Sequence, residues 1–84
     1  MTTNQSAIEQ SAQTAALEDF QLVPGGIYEE TITSWGEIAD EATERRIFAL
    51  EEDCGLLHPT IEQLQTWAIA YVAEYNRLHA ERAK

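Results

Sequence analysis

The chain has 84 residues, enough for one domain, and folding at this size buries only about 60 to 65% of the surface that the unfolded chain exposes. Its 15 acidic residues against 5 basic ones give a net charge of −10, which disfavours direct binding to nucleic acid or to an anionic membrane. Because it has a single cysteine, no apolar run of a membrane span and no signal-peptide pattern, we expect a cytoplasmic protein.

The N-terminal segment, residues 1–19, is polar and rich in small side chains. We expect its first dozen residues to be disordered or frayed. Residues 6–18 are expected to form at most a short helix, because alanine favours helix but gives little surface to bury. The sequence therefore divides into a flexible or short-helix segment, 1–19, and a helical domain, 20–84.

The clearest break in the chain is Pro24-Gly25-Gly26. The stretches 20–23 and 27–33 on either side of it contain Val, Ile, Tyr and Thr, which favour strands. An isolated two-stranded hairpin is marginal in water, so this region is predicted to be either a small hairpin or an extended loop.

A helix is predicted from about residue 35 to residue 54. Ser34 and Glu37 have the spacing of a capping box at its start, and Gly55 follows as a C-terminal stop. Apolar residues recur at steps of three and four along it: Trp35, Ile38, Ala39, Ala42, Phe48 or Ala49, and Leu50.

A second helix is predicted over residues 61–82, after a capping box formed by Thr60 and Gln63. Its apolar residues form a heptad stripe, in which Trp67 and Tyr71 should be core: Ile61, Leu64, Ala68, Tyr71, Tyr75 and Leu78, widened by Trp67 and Val72. A short linker should make the two helices pack as an antiparallel hairpin. The predicted fold class is mainly α, a small helical bundle or antiparallel helical hairpin with a flexible N-terminus.

The residue types of a catalytic or metal site do not converge in this sequence. His58 lies in a linker and His79 lies near the end of the last helix, so we expect no metal site, no cofactor and no enzymatic activity. Cys54 follows three acidic residues, which should raise the pKa of its thiol rather than activate it.

Most of the negative charge lies in the middle of the chain. Residues 18–53 carry 11 acidic side chains and 2 arginines, and so a local net charge of −9. Carboxylates one helical turn apart, about 6 Å, approximate the spacing of phosphates along a nucleic-acid strand. The predicted partner-binding residues are the exposed acids of the helix predicted over residues 35–54: Glu37, Asp40, Glu41, Glu44, Glu51 and Glu52.

These features predict a small acidic inhibitor or modulator that occupies a basic surface, as a nucleic-acid mimic would, of a nucleic-acid-binding protein. In size and charge the chain is similar to small acidic inhibitors carried by phages and mobile elements, such as anti-CRISPR and DNA-mimic proteins. This similarity is one of composition and involves no shared motif. The alternative is a helical adaptor or oligomerising subunit, such as a homodimer, that uses the heptad stripe and has no inhibitory role.

Overall fold

The structure, a computed structural model, describes residues 5–22 and 32–82. Within these ranges it contains no strand, and none of its helices is long and apolar enough to cross a membrane. The elements are α1 (Gln5–Leu22), a 3-10 turn (Trp35–Glu37), α2 (Ala39–Cys54) and α3 (Ile61–Arg82). The predicted fold class, a small helical bundle, is confirmed.

Helix α1 differs from the expectation for the N-terminal segment. The helix begins at Gln5, so the prediction of a disordered or frayed first dozen residues is wrong from that residue onward. Its inner face is a helical stripe of mostly small side chains, all buried: Ile8, Ser11, Ala12, Ala15 and Ala16. Small residues let a neighbouring backbone approach closely, so alanine contributes to this core through fit rather than through its own area.

Helix α3 packs mainly against α1, and less against α2. The predicted hairpin of α2 and α3 is therefore not the principal contact. Trp67, Tyr71 and Tyr75 are fully buried, as predicted for the first two, whereas the first residue of the stripe, Ile61, is exposed. Contacts of Ser11 with Trp67 and of Phe20 with Tyr75 show that α1 and α3 run parallel.

Helix α2 runs antiparallel to α1. Its C-terminal end lies at the start of α1, where Ser11 donates to Asp53, and its middle lies near the end of α1, where Arg45 meets Glu18. Its own buried residues are Ala42, Ala49 and Leu50. One face of α2 is therefore packed on the bundle and the opposite face is left to solvent.

Two of the predicted helix ends are confirmed. Gly55 caps α2 with φ 68° and ψ 22°, a left-handed conformation that glycine adopts without strain. At the start of α3, the Thr60 amide donates to Gln63 Oε1 at 2.8 Å, and the Gln63 amide donates to Thr60 Oγ1 at 3.1 Å. These reciprocal bonds are the predicted capping box.

The predicted capping box at Ser34 is wrong. Ser34 makes no side-chain cap bond, and Glu37 Oε2 accepts instead from the Thr33 amide at 3.0 Å. The 3-10 turn places the start of α2 four residues later, at Ala39, and the Glu41 and Ala42 amides bond to the Ile38 carbonyl. This tighter turn brings the Trp35 ring against the rings of α3.

The segment for which a hairpin or a loop was predicted lies partly outside the described residues. Phe20 belongs to α1, residues 23–31 are outside the described ranges, and Ile32 begins the second range. The side-chain amide of Asn76 holds Ile32 by two bonds, accepting from its amide at 2.7 Å and donating to its carbonyl at 2.8 Å. Ile32 is thereby fixed, buried, against α3.

Candidate protein-binding surface

The six predicted partner-binding residues are all exposed. Five of them lie on α2, and Glu37 lies in the preceding 3-10 turn. Because Glu37 already accepts the Thr33 amide, it is partly used within the chain. We call the other five the acidic face of α2: Asp40, Glu41, Glu44, Glu51 and Glu52.

The two arginines of α2 are bound by groups outside the acidic face. Arg45 bonds to Glu18 at 2.8 Å and approaches Asp19 at 3.6 Å, so its charge is used against α1. Its neighbour Arg46 places its guanidinium 4.7 Å from the centre of the Trp35 ring and donates to the Leu64 carbonyl at 3.3 Å. Neither cation is left to neutralise the outer side of the helix.

No member of the acidic face takes part in an ion pair within the described ranges. The ion pairs found there join Arg45 to α1 and Arg77 to two glutamates of α3, Glu74 and Glu81. Carboxylates three and four residues apart on a helix repel each other. The face therefore holds uncompensated, mutually repelling charge.

The helix dipole of α2 stabilises some of these charges and destabilises others. Asp40 and Glu41 lie in the first turn of α2, where the dipole favours anions. Glu51 and Glu52 lie near its C-terminal end, where the dipole disfavours anions and where the last turn contains no basic residue. The sequence therefore keeps anions at an end of the helix where lysine or arginine would stabilise it more.

Two large apolar side chains lie among these carboxylates. Ile47 is 44% exposed and Phe48 is 58% exposed, whereas Ala49 is buried. Of the two residues offered for the stripe, Phe48 or Ala49, the inner one is Ala49. The sequence contained a signal for this, since Ala42 and Ala49 are seven residues apart and share a face that residues 47 and 48 do not.

Behind the acidic face, an aromatic cluster joins α2 to α3. The Trp67 and Tyr71 rings stack with centroids 5.1 Å apart, and Trp35 meets both edge-on at 5.7 Å. Burial lowers the pKa of Arg46 from its ordinary value, although an arginine stays protonated in proteins. This packing fixes α2 on its inner side and so fixes the position of its outer face.

A chain of hydrogen bonds connects all three helices. Trp67 Nε1 donates to Ser11 Oγ at 3.1 Å, and Ser11 Oγ donates to Asp53 Oδ2 at 2.7 Å. The Asp53 carboxylate therefore takes part in the packing of α2 on α1, and we do not include it in the acidic face. Burial and, second, the charge of Asp53 raise the pKa of the Cys54 thiol, as the acidic neighbours of Cys54 predicted.

Other surfaces of the described chain carry less chemistry. Two shallow grooves of about 390 Å³ flank Ile69 on α3, and the charged pair at one of them, Glu74 and Arg77, is joined by its own ion pair. Among the described residues, no three side chains of the types His, Cys, Asp and Glu cluster to hold a metal ion. The acidic face of α2 is thus the best-defined candidate surface.

Comparison with protein families, with curated proteins and with solved structures finds no match to this chain. The candidate surface is therefore defined by its own geometry: an exposed helix side with five unpaired carboxylates and a central apolar pair.

Proposed function

We propose that this protein binds a basic surface of another protein through the acidic face of α2, and that it thereby inhibits or modulates a nucleic-acid-binding protein. One observation carries the proposal. Five exposed carboxylates lie along one helix whose two arginines are both engaged elsewhere, Arg45 by the acids of α1 and Arg46 by the Trp35 ring. A cationic partner would relieve the repulsion among these carboxylates.

The charge distribution also favours this class of partner kinetically. Surfaces of one sign steer an oppositely charged partner and raise the association rate, an effect that salt weakens. A protein surface that binds nucleic acid has the required cations, and it would be blocked when the acidic face occupies it.

The oligomerising alternative has less support. It depends on a heptad stripe that is free to meet a second copy, yet Trp67, Tyr71 and Tyr75 are fully buried within the chain. The centre of the stripe is occupied by α1.

The test compares three immobilised proteins: the wild type, a Glu41→Gln/Glu44→Gln variant, and a Glu9→Gln/Glu62→Gln variant that loses the same charge away from α2. Each is used to capture proteins from a lysate of the source cell. We expect a captured protein that binds the wild type and the control, that is lost with the Glu41→Gln/Glu44→Gln variant, and that short duplex DNA displaces.

The kinetics of the captured protein provide the second measurement. Glu41→Lys/Glu44→Lys should keep the fold, slow association and flatten its dependence on salt. Unchanged capture, rate and salt dependence in these variants would exclude the acidic face as the binding surface.

A further inference from the structure

The exposed pair Ile47 and Phe48 lies at the middle of the acidic face, with carboxylates on both sides along the helix axis. Glu44 precedes the two residues by three and four positions, and Glu51 follows them by four and three. Residues at these spacings are neighbours on a helix surface. Each apolar side chain therefore has a carboxylate one turn before it and one turn after it.

We propose that this face is the docking site of a basic amphipathic helix, whose apolar residues contact Ile47 and Phe48 and whose lysines or arginines contact Glu44 and Glu51. The inference rests on the proposed function and names the chemistry of its partner. It adds that charge supplies steering while the apolar pair supplies most of the affinity.

Charge complementarity selects this occupant over two others. A second copy of the chain would bring Glu44, Glu51 and Glu52 against identical carboxylates, so an apolar contact between copies would be opposed by repulsion. A membrane surface with anionic lipids is opposed in the same way. A polycation without apolar groups would leave Ile47 and Phe48 without an apolar partner, whereas aromatic residues are enriched at the centre of protein–protein interfaces.

The spacing of the groups selects a helix. From Asp40 to Glu52 the face extends about 18 Å along the helix axis, at 1.5 Å of rise for each residue. A helix lying along this face repeats the same interval of three or four residues between its apolar and its basic side chains. Its cations and its apolar residues can thus meet both kinds of group at once.

The test measures binding of three synthetic peptides of equal length and equal charge. The first is an amphipathic helix of leucine and lysine, the second is the same composition with its leucines distributed around the helix, and the third is lysine and glycine. We expect the wild type to bind the first peptide at least about tenfold more tightly than the others at physiological ionic strength.

Variants assign this preference to the apolar pair. Phe48→Ser should abolish the preference for the amphipathic peptide and leave binding of the lysine-glycine peptide unchanged. Ile69→Ser, which changes an isoleucine of α3 that is 71% exposed, should leave both unchanged. Circular dichroism of both variants confirms that the bundle is intact.

Three results would overturn the inference: equal affinity for all three peptides, a preference that survives in Phe48→Ser, or self-association of the wild type that Phe48→Ser abolishes in sedimentation. Failure of the proposed function is distinct. It would appear as unchanged binding of all three peptides in a Glu44→Gln/Glu51→Gln variant, because this result would mean that the acidic face binds no cation.

Discussion

Ser11 is a buried polar residue whose hydroxyl bonds to two other helices. It is 5% exposed, and its hydroxyl accepts from the Trp67 indole while it donates to Asp53. A hydroxyl that both accepts and donates can satisfy a buried indole on one side and reach a solvated carboxylate on the other. One side chain thus joins α1, α2 and α3.

We expect Ser11→Ala to lower the free energy of unfolding by about 1 to 3 kcal/mol, because the buried Trp67 Nε1 loses its acceptor. Ser6→Ala, the same substitution on the same helix, is the control, since Ser6 is exposed. Urea denaturation measures both variants. Equal effects of the two substitutions would show that the hydrogen bond contributes nothing.

A second residue-scale feature is the pairing of Glu74 with Arg77. The guanidinium donates to both carboxylate oxygens of Glu74 at 2.8 Å, and the hydrogen bonding, more than the charge, holds the pKa of Glu74 below its ordinary value of 4.5. A depressed pKa in the folded state gives stability that is present above the unfolded pKa and is lost as pH falls through the folded one.

The difference in unfolding free energy between the wild type and Glu74→Gln should therefore shrink as pH falls from about 5 to about 3. Subtracting the variant removes the contributions of the other carboxylates, which both proteins share. Urea denaturation at several pH values gives this difference. If it is constant with pH, the ion pair is not formed in solution.

At the scale of the elements, the two helix starts give opposite outcomes from similar sequence. Ser34 and Glu37 have the same spacing as Thr60 and Gln63, but only the second pair forms the reciprocal bonds. The difference lies in Trp35, whose ring contacts Trp67 and Tyr71, residues that are distant in sequence. Such a contact overrides the local preference for an α-helical start.

We expect Thr60→Ala to lower the free energy of unfolding by about 1 kcal/mol, the usual cost of removing a helix cap. Ser34→Ala should have a negligible effect, because the Ser34 side chain makes no cap bond. Thermal unfolding of the two variants checks this order. A larger loss from Ser34→Ala would contradict the 3-10 start of α2.

Periodicity and end signals predicted α3 at its observed bounds, the left-handed Gly55 and the burial of Trp67 and Tyr71. They did not predict the contribution of α1 to the core. Ala12 and Ala16 have little area to bury, and they stabilise the core only when a neighbouring helix approaches closely. The exposed carboxylates followed from sequence. The sequence prediction leaves the exposure of Phe48 open, since either Phe48 or Ala49 is allowed in the stripe, although the seven-residue interval from Ala42 to Ala49 favours Ala49 as the inner residue.

At the scale of the whole molecule, α1 is the element that both other helices contact. Its small inner residues set how closely α1 and α3 approach, and its acids Glu18 and Asp19 bind Arg45 of α2. Asp19 also accepts from the Tyr71 hydroxyl at 2.6 Å. Helix α1 is thus part of the core that holds the acidic face in place.

Ala12→Leu should destabilise the protein by about 1 to 3 kcal/mol through overpacking, because Ala12 is fully buried. Gln13→Leu adds an apolar side chain at the next position, which is exposed, and should change stability little. Guanidinium denaturation distinguishes them. Equal stability of the two variants would mean that α1 does not pack closely.

The aromatic cluster has an optical consequence. The chain has two tryptophans, and both indoles lie at one junction, Trp35 supplied by the turn before α2 and Trp67 by α3. Stacking of Trp67 on Tyr71 in a fixed asymmetric setting should give a strong near-ultraviolet dichroic band, and burial should shift the Trp67 emission to shorter wavelength. Intrinsic fluorescence and dichroism therefore report the meeting of the helices without an attached dye.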